Sequence, residues 1–159
     1  MNHSLHIRLA TIEEAGEAAG IFDEYRMFYG QPSDPAGAET FLRERIRLQD
    51  SVLFAAVDGT GRWAGFVQLY PTFSSISMQR SLILNDLYVR PDDRGRGVAQ
   101  ALLDRAKTFA ASIGARGLEL ATGFDNVRAQ RLYEKNGFAR DTEFYHYFLK
   151  VQTEVVENR

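Results

Sequence analysis

The run Leu84-Asn85-Asp86-Leu87-Tyr88-Val89-Arg90-Pro91-Asp92-Asp93-Arg94-Gly95-Arg96-Gly97-Val98-Ala99 carries a β-rich segment through a two-glycine turn into a long helical pattern. A helix that begins this way leaves its first backbone N–H groups without intrahelical acceptors, and small residues let an anion approach them. From Ala99 the apolar positions Leu102, Leu103, Ala106, Ala110 and Ile113 recur at helical spacing, and Gly114 suits a left-handed terminator. Any fold for this chain must therefore place a strand, an exposed amide cluster and a packed helix in immediate succession.

The remaining elements follow from local pattern. Leu5, Ile7 and Leu9 alternate as in a half-buried strand, and Thr11 and Glu14 have capping-box spacing. This predicts a helix from Thr11 to Tyr29 that buries Ile12, Ala15, Ala19, Phe22 and either Tyr25 or Arg26 and is stopped by Gly30-Gln31-Pro32-Ser33-Asp34-Pro35. A second helix spans Ala36 to Gln49. Val52–Val57 and Trp63–Tyr70 read as strands around an Asp58-Gly59-Thr60-Gly61 turn, 71–78 as a loop, and Ser81–Arg90 as a strand. Arg116–Ala121 is a further short strand, Asn126–Asn136 a helix ended by Gly137, and Glu143–Val151 a final strand rich in aromatics. The order predicts an α+β fold, a central mixed β-sheet flanked by about four helices, in a single domain over 1–159.

Composition narrows the function. A formal net charge of −2 gives no general attraction for nucleic acid or anionic lipid, so basic residues must act locally. The absence of cysteine excludes disulfides, thiolate nucleophiles and cysteine metal sites. His3, His6 and His146 lack the paired spacing of a metal helix, and no metal is expected. No apolar run resembles a signal peptide or membrane span, so a cytoplasmic protein with no membrane partner is expected.

Two common phosphate motifs fail. Gly97 is followed by Val98 where a Walker loop needs Lys-Ser or Lys-Thr, and a turn after the fourth predicted strand with two glycines lacks the dinucleotide fingerprint. Further on, Asn126, Ala129 and Tyr133 fall three and four residues apart and share one helix face, with Ala129 leaving room for a ligand. Taken alone, Asn126 could equally cap that helix and Tyr133 could equally pack.

The pattern Arg94-x-x-Gly97-x-Ala99 after a Leu-Tyr-Val strand, followed by Asn126-x-x-Ala129-x-x-Leu132-Tyr133-x-x-x-Gly137-Phe138, resembles the GNAT superfamily of N-acetyltransferases. The resemblance implies acetyl-coenzyme A as acetyl-donating cosubstrate. It places the diphosphate on the backbone of Arg94, Gly95, Arg96, Gly97, Val98 and Ala99, and the pantetheine arm beside Leu87, Tyr88 and Val89. Asn126, Ala129 and Tyr133 complete the implied binding residues, and many relatives pair as homodimers through their final strands. The aromatic run Phe144 to Phe148 is then a candidate for such an interface or for core.

Acetyl transfer to an amine needs a deprotonated nitrogen, stabilisation of an oxyanion and a proton for the departing thiolate. The resemblance makes Tyr133 the acid and a backbone N–H near Val89 the oxyanion donor. Some relatives carry Glu-Asp where this chain has Asn85-Asp86. Asn85 cannot take a proton, so Asp86, directly or through a water held by Asn85 or Asp86, is the candidate base, with a buried structural carboxylate as its alternative role. On a regular pleat the two side chains face opposite ways. Asp23, Glu24, Asp34 and Asp86 favour a cationic acceptor such as a small amine, an amino acid, or a lysine or N-terminal amine. A non-catalytic acyl-coenzyme A sensor with the same fold is the alternative function, kept open by Asn85.

Overall fold

The computed structural model describes residues 4–153, so His3 lies outside the described residues. Backbone contacts divide the chain into two compact units, with the break between Ala121 and Thr122.

In the first unit, β1 (His6–Leu9), β2 (Val52–Val57), β3 (Trp63–Ser74), β4 (Gln79–Val89) and β5 (Leu118–Glu119) form one sheet in that order. The first three pairings are antiparallel and β4–β5 is parallel, which makes the sheet mixed. Its helices are α1 (Ala15–Phe28), α2 (Pro35–Leu48) and α3 (Val98–Ser112), and α4 (Val127–Lys135) belongs to the second unit.

Cross-strand pairing separates the two sheet faces. Leu53, Ala55, Phe66 and Tyr88 join Ala18, Ala19, Ile21 and Phe22 of α1 and Ala38 and Leu42 of α2 in one buried cluster. On the opposite face α3 buries Val98, Leu102, Leu103, Ala106 and Ala110, and the Phe109 ring meets Phe54 edge-on at 5.5 Å. Gly65 permits that layer to close. A Cβ there would stand 2.7 Å from the Tyr88 carbonyl oxygen, 3.2 Å from Val98 Cγ1 and 3.3 Å from Leu102 Cδ1.

Local chemistry sets the helix ends. The Thr11–Glu14 capping box opens a short 3-10 turn at Ile12–Glu14 that continues into α1. Asp23, buried on α1, accepts bonds from Ser33 Oγ and the Asp34 N–H, both 2.7 Å, and so fastens the segment between α1 and α2. Those donors hold its carboxyl below the ordinary carboxylate range. Asp34 in turn caps α2 through the Gly37 N–H at 2.9 Å, with Pro35 at the first helical position.

Two expectations are corrected. Residues 71–74, read as loop, extend β3, and Pro71 pairs with Leu82. β2 ends its pairing with β3 at Leu69, and the Leu82 N–H bonds Gly117 rather than β3. The amide that Pro71 lacks would therefore face an open edge, where proline is tolerated. The aromatic run 143–151, read as a final strand, forms no strand among the described residues. The N–H groups of Glu143 and Phe144 bond Asp141 Oδ1 in a side-chain turn, and no ladder partner supports the alternating aromatics. Phe144, Tyr145, Tyr147 and Phe148 are exposed there, so none forms core.

Because backbone and two packed side chains all crowd the missing Cβ, Gly65→Ala is expected to destabilise the protein by about 1–3 kcal/mol in urea unfolding. A change within error would show that α3 does not close on β3 and β4 as described.

Candidate functional site

β4 does not pair with β3 in continuous register. Gln68 opposes Asp86 while the next residue, Leu69, opposes Leu84, so Asn85 is an extra residue in a β-bulge. The slip changes which side chains share a face. Asp86 joins Gln68, Phe66 and Tyr88 toward α1, and Leu84 joins Leu69 on the other side. Asn85 is exposed, yet its Nδ2 donates to Asp86 Oδ1 at 3.1 Å. The alternation expected for Asn85 and Asp86 is thereby corrected, because the bulge lets two adjacent side chains meet.

Asp86 is 5% exposed. Gln68 Nε2 donates to its Oδ2 at 2.8 Å, and the Tyr25 phenol of α1 feels the same carboxylate. Burial and the Asp86 charge together push the Tyr25 phenol far above its usual range. Burial first, then the same charge, push Tyr70 up to about 12. Tyr25 is also the hub of a ring cluster, 5.0 Å from Tyr29, 5.6 Å from Phe66 and 5.9 Å from Tyr88 between centroids. Neither Gln68 nor Tyr70 was singled out from sequence, and Tyr25 was read only as packing. The one available signal was an amide within the apolar run Phe66-Val67-Gln68-Leu69.

The other edge of β4 carries the second element of the site. β5 pairs with β4 only at Leu82 and Ile83. The Arg90 N–H bonds the Ala64 carbonyl, so antiparallel alternation turns the N–H groups of Leu87 and Val89 away from β3, toward that edge. The Val89 carbonyl, on the same side, accepts from Arg94 Nε at 3.0 Å.

A 3-10 turn at Pro91–Asp93 leads to α3. Gly95 and Gly97 have φ of +76° and +78°, and a Cβ at either would meet nothing within 4 Å. Glycine is thus required there by backbone conformation, and the space above is open. No side chain caps α3, whose first N–H groups point out of the helix at its positive end. Alternating left-handed residues and an uncapped helix start form a concave amide cradle suited to a diphosphate. The arginines are less available than expected. Arg94 folds back with its guanidinium 5.5 Å from the Phe28 ring and 5.8 Å from the Tyr88 ring, and Arg96 Nη1 lies 3.7 Å from Asp93 Oδ1. Asp93 itself holds Arg62 Nη1 at 2.8 Å.

In the second unit Asn126 Oδ1 caps α4 by accepting from the Ala129 N–H at 3.2 Å. Asn126, Ala129 and Tyr133 share one face of α4, and the Tyr133 ring meets Phe138 edge-on at 5.7 Å. Of the four acidic residues that suggested a cationic acceptor, three have structural partners. Asp23 fastens the α1–α2 segment, Asp34 caps α2, and Glu24 Oε2 takes Arg90 Nε at 3.0 Å. Asp86 is bonded as well, by the side-chain amides of Gln68 and Asn85.

Comparison with known proteins follows the same lines. A profile of the acetyltransferase (GNAT) family matches residues 18–138. An uncharacterized N-acetyltransferase of Bacillus subtilis, YhfO, is 47% identical over 147 residues, which span 92% of this chain and 98% of that protein. The crystal structure of a probable acetyltransferase matches with a TM-score of 0.88 at 42% identity, covering 94% of this chain and 99% of that one. An aminoglycoside N-acetyltransferase solved in complex with CoA shares the fold at a TM-score of 0.76 and 20% identity, covering 95% and 98% of the two chains.

The electrostatics around Asp86 can be read from its neighbours. In ultraviolet titration Tyr70 is expected to ionise near pH 12 in the wild-type protein and at a lower pH in Asp86→Asn, where the neighbouring charge is gone. An unchanged Tyr70 midpoint would remove the carboxylate from its surroundings.

Proposed function

The chain belongs to the GNAT family of acetyltransferases, and on that premise we propose that it moves an acetyl group from acetyl-coenzyme A to a cationic primary amine by direct attack of the amine nitrogen. The observation that carries this reading is the buried Asp86 carboxylate on a strand whose outer edge offers the N–H groups of Leu87 and Val89. A strand of this kind can receive an extended amide-bearing chain along its edge while holding an anion for the acceptor.

Acetyl-coenzyme A would supply an acetyl group activated as a thioester. Backbone N–H groups from Arg94 to Ala99 would hold its diphosphate, with Arg94 fixed on Val89, Phe28 and Tyr88 as a nearby positive charge rather than a direct clamp. Leu87, Tyr88 and Val89 would line the pantetheine arm, and the Val89 N–H would stabilise negative charge developing on the carbonyl oxygen. Asp86 would take one proton from the ammonium, leaving a neutral nitrogen able to attack. Asn85 orients the Asp86 carboxylate through its amide and carries no proton itself. In α4, Asn126 and Ala129 would shape the surface for the cofactor, and Tyr133 would give its hydroxyl proton to the departing thiolate.

The acceptor is read by screening free amines, amino acids, aminoglycosides and lysine or N-terminal peptides for release of CoA thiol. Turnover with at least one cationic amine is expected. Cofactor binding without turnover in any class would point instead to a sensor. Tyr133→Phe is expected to keep acetyl-CoA affinity and lower kcat by roughly 10²–10⁴-fold, the usual contribution of a positioned proton donor. Unchanged kcat would remove Tyr133 as the acid.

A further inference from the structure

Gln68 presents a problem that packing does not explain. It is fully buried between cross-strand neighbours Leu53 and Asp86, in a strand run that is otherwise apolar. Its Nε2 donates to Asp86, while its Oε1 is buried without a hydrogen-bond partner. A buried acceptor left unpaired is destabilising, and methionine would fill the same place without it. The amide is therefore retained for what it does to Asp86.

The carboxylate is met by donors alone, Gln68 Nε2 on Oδ2 and Asn85 Nδ2 on Oδ1, with the Tyr25 phenol close enough to feel its charge. That set suits an anion. A carboxyl that has gained a proton needs an acceptor instead, and Gln68 Oε1 is the one orphaned acceptor on a side chain already touching it. Turning the Gln68 amide by 180° would bring Oε1 to Asp86 and leave Nε2 where Oε1 had been. Each orientation leaves one polar atom unpaired, so the surroundings favour neither strongly and the state of Asp86 decides.

Resting on the reading of Asp86 as proton acceptor, we propose that Gln68 and Tyr25 are positioning residues for that proton transfer. Gln68 donates to the Asp86 anion while the neutral Tyr25 phenol favours its charge, and the Gln68 amide reverses to accept the carboxyl hydrogen once the proton has arrived. The step balances: the ammonium loses one proton to Asp86 and becomes a neutral amine, the carboxylate becomes a carboxylic acid, and Gln68 exchanges a donated bond for an accepted one. After transfer the proton leaves Asp86 for solvent and the amide turns back.

The titratable groups facing this centre are Tyr25 and Tyr29 from α1 and its end, and Tyr70 from β3, with Arg45 of α2 and Asp50 acting on Tyr70. Tyr88 lies on the same sheet face. The burial-raised phenols of Tyr25, Tyr70 and Tyr88 stay protonated through the range in which a carboxylate titrates, and Asp86→Asn separates the response of Asp86 from that of Asp50.

The test follows the side-chain amide resonances of Gln68 and the carboxyl carbon of Asp86 by NMR as pH is lowered. It uses the full chain, with Asp86→Asn and Gln68→Met supplying the assignments. The Gln68 amide protons are expected to change environment with the same midpoint as the Asp86 carboxyl. Tyr25→Phe should move that midpoint alkaline, since the phenol favours the charged form, whereas Gln68→Met, which removes a partner of both forms, should move it less. Phenylalanine keeps the ring packing at position 25, so Tyr25→Phe carries the test if Gln68→Met does not fold. Gln68 signals indifferent to Asp86, or an Asp86 midpoint unmoved in folded Tyr25→Phe, would overturn the proposal. Turnover of Asp86→Asn is a separate readout: wild-type kcat there would end the role of Asp86 as proton acceptor, whatever Gln68 does.

Discussion

The register of β4 against β3 slips by one residue at Asn85, and the chemistry of the first unit depends on that slip. Without it Asp86 would share a face with Leu84, on the side that α3 covers. With it, the carboxylate turns toward α1 and gains two donors, Asn85 beside it and Gln68 across the ladder. Burying an ionised carboxylate is unfavourable unless such bonds replace water, so the bulge and its donors form one unit.

The same strand connects that carboxylate to the amide cradle. Beyond the bulge, regular alternation returns and directs the Leu87 and Val89 N–H groups to the edge that β5 leaves open. Three residues of 3-10 turn and two left-handed glycines then reverse the chain into α3. Gly65, by admitting the Tyr88 carbonyl and the α3 side chains at close range, keeps the helix start near the end of β4. A buried carboxylate on the sheet and an uncapped helix start are thus positioned by one continuous segment, 84–99.

Much of this was legible from local pattern, since the rules involved act over a few residues. The α3 periodicity, the glycine turn, the Thr11–Glu14 box and the one-face spacing of Asn126, Ala129 and Tyr133 all concern neighbours within a turn or two. What escaped depended on distant partners. The bulge is a property of two strands, and nothing within 84–89 marks it. Glu24 looked available until Arg90 is seen beside it, and Asp23 until the 33–34 segment is seen to bond it. Residues 71–74 read as loop in the sequence because the open sheet edge beside Pro71 is not visible locally. The aromatic run 143–151 failed in the opposite direction, its β-forming residues having no ladder to join among the described residues.

Backbone amide NMR during titration with CoA is the most direct measurement of the central claim, that segment 84–99 is an acyl-CoA site built from main-chain donors. Resonances of Leu87, Val89 and Gly95 to Ala99 should move together and saturate with one affinity, while pantetheine alone should move the β4 resonances and spare the glycine turn. Perturbations confined to other strands, or a glycine turn silent toward CoA, would contradict it.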